Sequence, residues 1–313
     1  MSHPRRFRFG VQLSSAASPR EWAELAREAE GLGYSTLFVP DHFGDQLAPG
    51  PALTAAADAT SELRVGTLVL DNDYKHPVVT AKEMATIDLL SDGRLELGIG
   101  AGWMASDYEQ SGIAMDDAAT RVDRLEEGLA VLKGLLAPGP FSFEGTHYQV
   151  ADLDGQPTPL QSPHPPFIIG GGGPRVLALA GREADIVGVN PAIRSGRVDG
   201  DAARDGGAAV TDRKLGWVRA AAGERYDDLE IQMLLFACVV TDDRAGVVEG
   251  MAPMFGLPPD ELDAYPHAWI GTVDQIADDL VAGRDRWDVS YLVVQGPDAM
   301  RTAAPVVARL AGA

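Results

Sequence analysis

Two periods alternate along this chain. Short apolar runs end in glycine, proline or small polar residues, and between them lie longer stretches with apolar residues three and four apart. Phe7 to Leu13 alternates and predicts a strand that stops at Ser14-Ser15. Ser18-Pro19-Arg20-Glu21 is a helix start, with a hydroxyl cap, a first-turn proline and a glutamate three residues after the cap. Trp22, Leu25, Ala26, Ala29 and Leu32 mark one helical face, and Gly33 can close it. Leu37 to Val39 predicts the next strand. A helix lies between the two strands, so they are expected to be parallel.

The alternation continues. Helices are predicted at Pro51 to Thr60 and from Pro77 to Leu90, with a strand from Arg64 to Leu70 between them and a polar loop, Asp71 to Lys75, after it. Leu95 to Gly100 predicts a fourth strand. Val122, Leu125, Leu129, Leu132 and Leu136 give a long helix one buried face. Phe141 to Val150 reads as a hairpin, and a proline-rich loop runs to Pro166. Phe167 to Gly170 and Ile186 to Val189 predict strands five and six, with a helix from Arg175 to Glu183 between them. Residues 190–228 are weakly patterned. Their middle, Arg194 to Ala209, is rich in glycine, aspartate and alanine and reads as mobile. Ile231 to Thr241 reads as one long seventh strand, and 242–270 as an excursion. The helix Thr272 to Arg284, the strand Tyr291 to Gln295 and the helix Ala299 to Leu310 finish the chain. Eight strands alternating with helices predict an α/β fold, a (β/α)8 barrel with insertions after strands 4, 6 and 7. A doubly wound open sheet is the rival. With no composition break or fixed-period repeat, residues 1–313 are expected to form a single domain.

Composition narrows the function. Of 313 residues, 45% are hydrophobic, which suffices for a large core. Acids outnumber bases 46 to 26, a net charge of −20, so a partner with a phosphate backbone is not expected. No apolar run approaches a transmembrane length. Met1 to Arg8 is basic but no apolar core follows it, so it does not read as a signal peptide and a cytoplasmic protein is expected. The one cysteine, Cys238, sits in an apolar run and reads as a small hydrophobe rather than a nucleophile.

In a barrel, ligands meet the C-terminal ends of the strands. That rule collects Ser14, Asp41, His42, Asp71, Asn72, Gly100, Ala101, Gly102, Trp103, the turn Gly171-Gly172-Gly173-Pro174-Arg175, and Asn190. Asp41 and His42 follow the Leu37–Val39 run and Pro40 at once. Two readings stand: a proton-handling imidazole at the mouth of a site, or a pair that caps the next turn. Gly98 to Gly102 either lets a flat ring approach the backbone or packs tightly at a barrel corner. The turn at 170–175 is either an anion cradle, with glycine amides, a helix start and the charge of Arg175, or a helix start alone. Trp103 is either core or the wall of a substrate pocket. The six histidines show no metal-ligand spacing, so no metal is expected.

Taken together these stretches resemble the luciferase-like monooxygenases, and within them the branch that uses the deazaflavin coenzyme F420. The resemblance is carried by Phe-Gly-Val-Gln at 9–12, Val-Pro-Asp-His-Phe at 39–43, Val-Gly-Thr-Leu-Val-Leu at 65–70 and Ser-Asp-Gly-Arg-Leu-Glu-Leu-Gly-Ile-Gly-Ala-Gly-Trp at 91–103. Arg-Val-Asp-Arg-Leu-Glu-Glu-Gly-Leu at 121–129, the glycine turn and Gly-Thr-Val-Asp-Gln-Ile-Ala at 271–277 extend it. It implies a cofactor ring at the barrel mouth, with Asp41 against the cofactor and His42 donating or accepting a proton during hydride transfer. It also implies a cis peptide at Leu68–Val69 that presses backbone against the ring, and phosphate held at Gly171 to Arg175. Where the branch's sugar-phosphate dehydrogenases carry a glutamate, Trp103 stands here, which points to a small apolar or aromatic substrate. FMN is the alternative cofactor, in a monooxygenase, and a non-catalytic F420-binding protein is a third reading. Relatives are often homodimers, so a homodimer is an expectation of the resemblance alone.

Overall fold

A computed structural model of the protein describes residues 5–197 and 199–313. The first residues of the basic N-terminal run, and Val198 within the 194–209 stretch, lie outside the described residues. Eight parallel strands close into a barrel: Arg8–Gln12, Thr36–Val39, Arg64–Thr67, Leu95–Gly100, Phe167–Gly171, Ile186–Val189, Glu230–Leu234 and Val289–Gln295. Closure runs through the pairing of the first strand with the last, Arg8 opposite Tyr291. The open-sheet alternative is thereby excluded. Among the described residues no helix is long and apolar enough to cross a membrane.

The barrel interior is filled in layers. At its N-terminal end Glu96, 1% exposed, takes Arg8 and Arg64 each at 2.8 Å and the Tyr291 hydroxyl at 2.9 Å. Arg8 also pairs with Glu230, so five of the eight strands are tied by charge-assisted bonds. Burial alone would push the Glu96 carboxyl up, but Arg8, Arg64 and the bonds from Arg8 and Tyr291 outweigh it and hold it below its ordinary value. Above this layer the Phe38 ring occupies the space that side chains at Gly10 and Gly66 would need. Leu68, Ile168, Ile186, Tyr291 and Val293 pack around it. The lower barrel is therefore solid, and only the C-terminal end is available for a ligand.

Three stretches differ from expectation. The third strand is not continuous to Leu70. It stops at Thr67, passes through the cis peptide Leu68–Val69, and resumes at Leu70–Asp71, so Asp71 ends a strand rather than starting a loop. The seventh strand is not one long run. Glu230–Leu234 belongs to the barrel, whereas Ala237–Val240 pairs with Ala268–Gly271 in a separate parallel sheet. The chain changes partners where the Leu235 amide bonds Val293 and the Phe236 amide bonds His267. Continuous apolarity hides such a change, because both halves are covered. The 194–209 stretch carries the helix Gly200–Asp205, capped by Asp199, and leads into Ala208–Ala222. There Lys214, 1% exposed, bonds the Asn190 and Asp205 carbonyls and the Asp205 carboxylate, which anchors the segment to the barrel.

His267, fully buried under Phe236, donates from Nδ1 to the Leu234 carbonyl at 2.7 Å, and its Nε2 has no partner. Burial pulls its pKa down to about 4. The unfolded chain therefore takes up this proton first, near pH 6.5. The stability His267 contributes is complete above that pH and is lost as pH falls towards about 4, roughly 3 kcal/mol by the size of the shift. Asp71, pushed up to about 6 by burial, acts with the opposite sign between its unfolded value and pH 6. Comparison with His267→Asn isolates the histidine: chemical unfolding from pH 7 to pH 4 should show the wild-type advantage shrinking by about that amount.

Candidate active site

The second strand leads to Asp41 and His42 at the barrel mouth, where their side chains bond Asp71 and Asp107 rather than the turn that follows. His42 Nδ1 lies 2.7 Å from Asp107 Oδ2, with side chains 19% and 7% exposed. The Tyr74 hydroxyl donates to the same Asp107 oxygen at 3.1 Å. Trp103 stands edge-on to the imidazole, centroids 5.6 Å apart. It is half-buried, a wall of the mouth rather than core. Phe43, 50% exposed, lies tilted against Tyr74, with centroids 4.6 Å apart. Phe236, 43% exposed, follows the seventh strand and adds a further ring to the rim. The rim near His42 thus carries the rings of Trp103, Phe43 and Tyr74 and the Asp107 carboxylate.

Asp41 does not touch His42 through a hydrogen bond. Its Oδ2 accepts the Asp71 amide at 3.2 Å, which braces the end of the interrupted third strand, and burial raises its pKa. The Gln12 amide donates to the Leu68 carbonyl at 2.7 Å and braces the other side. Val69 then projects towards Gly100 and Gly170: a Cβ on Gly100 would stand 3.0 Å from its Cγ2, and one on Gly170 3.5 Å from its Cγ1. Asp71 accepts the Tyr108 hydroxyl at 2.8 Å.

The glycines after the fourth strand answer the question left open by the sequence. A Cβ on Gly98 would sit 2.0 Å from the Thr67 carbonyl oxygen, so that glycine serves close strand packing. Gly102 has φ +73°, and a Cβ there would meet the Tyr108 hydroxyl at 1.9 Å and Asp71 at 2.3 Å. It is glycine because the Tyr108–Asp71 bond fills its place. Arg121 holds the Ala101 carbonyl at 3.0 Å and so fixes this loop from the long helix.

On the opposite rim Gly171 continues the fifth strand, Gly172 packs against the backbone of 190–192, and Gly173 opens onto free space before the helix Pro174–Glu183. Arg175 is exposed and pairs with Asp123 at 2.5 Å, so its charge is shared with the long helix. Next to this turn lie residues that sequence reasoning did not assign. Asn190, gathered at the rim but given no role, and Gln232 place their amides 3.6 Å from where a Cβ on Gly188 would be. Asn190 Oδ1 and Gln232 Nε2 are buried with no hydrogen-bond partner. Asp107, Tyr74 and Gln232 carry no local motif; only the fold brings them to the mouth. Among the described residues no group of side chains could hold a metal ion.

The short helix Ala105–Ser111, which presents Asp107, was not foreseen. It is pinned at two points: the Tyr108 hydroxyl to Asp71, and the Ala105 amide to the Gly196 carbonyl at 3.2 Å.

A family model described as luciferase-like monooxygenase matches residues 5–297. The chain is 32% identical over 187 residues to an F420-dependent glucose-6-phosphate dehydrogenase of Microbacterium testaceum, covering 57% of this chain and 55% of that protein. It is 33% identical over 203 residues to an FMNH(2)-dependent dimethylsulfone monooxygenase of Pseudomonas putida, covering 59% and 56%. The chain spans about half the length of these curated relatives. Among solved structures it superposes on the coenzyme F420 dependent tetrahydromethanopterin reductase of Methanopyrus kandleri with a TM-score of 0.79 at 19% identity, covering 98% of this chain and 100% of that one. That likeness is one of fold.

Proposed function

The chain belongs to the luciferase-like monooxygenase family, and on that footing we propose that it is an oxidoreductase that exchanges a hydride between coenzyme F420 and a small organic substrate. The observation that carries this reading is the placement of His42: one ring nitrogen is engaged by Asp107 at 2.7 Å, and Nε2 is left for a substrate proton at an aromatic rim. Histidine as a residue type titrates near neutrality, which suits proton transfer in either direction.

The residues present fit a flat ring with an imide-like edge. Val69, Gly100 and Gly170 make a floor short of side chains, and the unpartnered Asn190 Oδ1 and Gln232 Nε2 supply an acceptor and a donor beside it. Asp41, Leu68, Val69, Asp71, Ala101, Gly102 and Trp103 would line the ring, and Gly171, Gly172, Gly173, Pro174 and Arg175 would receive the phosphate. Bound there, the deazaflavin supplies the carbon that gives or takes hydride. This chain's own residues do the rest. His42 moves the proton at Nε2, with Trp103 edge-on beside its ring. With Phe43, Trp103 and Phe236 around the opening and carboxylates beneath, a neutral apolar or aromatic substrate is favoured over a sugar phosphate.

FMN is the second reading, favoured by the similarity to the FMNH(2)-dependent monooxygenase. Titrating the protein with each cofactor by fluorescence decides between them. Binding of F420 with FMN excluded is the expected result; binding of FMN alone would reverse the assignment.

The two orphaned amides give a separate prediction. Gln232→Met should weaken cofactor binding about tenfold, the usual net worth of one hydrogen bond. The same change should stabilise the free protein, because a buried unpaired donor costs about 1–3 kcal/mol. Isothermal titration and thermal unfolding of the one variant test both signs.

A further inference from the structure

We propose that Asp107 is the positioning residue for His42: its carboxylate keeps the proton on Nδ1, which leaves Nε2 as the nitrogen that exchanges a proton, and it balances the imidazolium charge once Nε2 is protonated. This rests on the role given to His42 above. A carboxylate only accepts, so the 2.7 Å contact with Nδ1 fixes the neutral ring in the Nδ1–H form. The geometry adds a second constraint. Asp107 Oδ2 also receives the Tyr74 hydroxyl at 3.1 Å, and Asp107 is 7% exposed, so the accepting oxygen is held from two sides away from water. Tyr74 is itself fixed between Phe43 and the edge of Tyr108. Trp103 closes the remaining side of the imidazole.

The same geometry says what an amide would do at this position. The imidazole and the Tyr74 hydroxyl meet the same oxygen, Oδ2, so in Asp107→Asn the amide oxygen takes that place, both bonds survive and only the charge is lost. Asp107→Leu removes the acceptor as well, and the ring is then free to carry its proton on Nε2, where that nitrogen can no longer accept one. Asp107→Glu restores an acceptor of the right charge.

Long-range 1H–15N correlation spectra of the full chain read the ring directly, with the His42 signals identified by their loss in His42→Ala. The wild type should show a protonated Nδ1 and a bare Nε2, Asp107→Leu a ring protonated at Nε2, and Asp107→Asn and Asp107→Glu the wild-type pattern. In turnover, Asp107→Leu should lower kcat about 10²-fold or more with KM and cofactor Kd unchanged. A wild-type ring protonated at Nε2, or an Asp107→Leu ring with unchanged shifts, overturns the proposal even if F420 turnover is found. The predicted ring states with no F420 binding leave Asp107 in its role and overturn the assigned function instead, because the spectra need neither cofactor nor substrate.

Discussion

Replacing His42 by alanine is expected to lower turnover about 10²–10⁴-fold while the cofactor still binds, because a positioned acid or base is worth that much when the proton moves with the bond change. The side chain follows the second strand, packs against Trp103 and, among the described residues, hydrogen-bonds only Asp107, so its removal leaves the barrel interior untouched. The loss should therefore fall on kcat and spare both the melting temperature and the F420 affinity. Steady-state kinetics beside a cofactor titration separates the three quantities. Turnover within a few-fold of wild type, with F420 bound, would falsify the assignment of His42 as the proton-handling group.

The largest stability effect is expected at the other end of the barrel. Glu96→Gln keeps the shape of the side chain but removes the negative charge that Arg8 and Arg64 both meet at one oxygen, 2.8 Å away. Among the described residues Arg8 retains Glu230, and Arg64 retains only neutral partners, the Leu95 carbonyl and Gln161. Breaking a buried ionic cluster by removing one member costs about 3–5 kcal/mol, since the remaining charges are still desolvated. The same loss should appear in the wild type under acid. The Glu96 carboxyl lies below its ordinary value when folded, so its contribution is complete above the unfolded carboxyl range and fades as pH falls through the lower folded value. Chemical unfolding of wild type and variant at pH 7 and pH 3 tests this: the difference between them should narrow sharply at low pH. An exposed pair such as Arg301 with Glu28 serves as the control, where Arg301→Ala should cost less than about 1 kcal/mol.

How much of this could be read along the chain follows from what is local. The Ser18 cap, the Trp22–Leu32 face and the apolar strand runs set each element by short-range rules, so the barrel was legible. Asp41 and His42 were found because strand ends mark the mouth of such a fold whatever the residues are. Other features depend on contacts far apart in sequence. The Ala237–Val240 segment joins a second sheet only because Ala268–Gly271 comes to meet it. The 194–209 stretch looks unpatterned because its order comes from Lys214 and Asp205 rather than from an apolar stripe. Asp107 lies 65 residues from His42 in a seven-residue helix too short to show a period. Gln232 looks like any polar residue within a strand until the closed barrel turns it inward, where its donor has nothing to bond.

The bond from the Ala105 amide to the Gly196 carbonyl has a consequence for redesign. The connection after the sixth strand leaves the C-terminal end of the barrel, so it is a natural place to graft new selectivity. Here that connection also clamps the helix bearing the carboxylate behind the imidazole. A graft that exchanged residues 190–200 alone would detune the proton chemistry along with the choice of substrate. Transplanting 103–111 together with 190–200 would move both as a matched cassette.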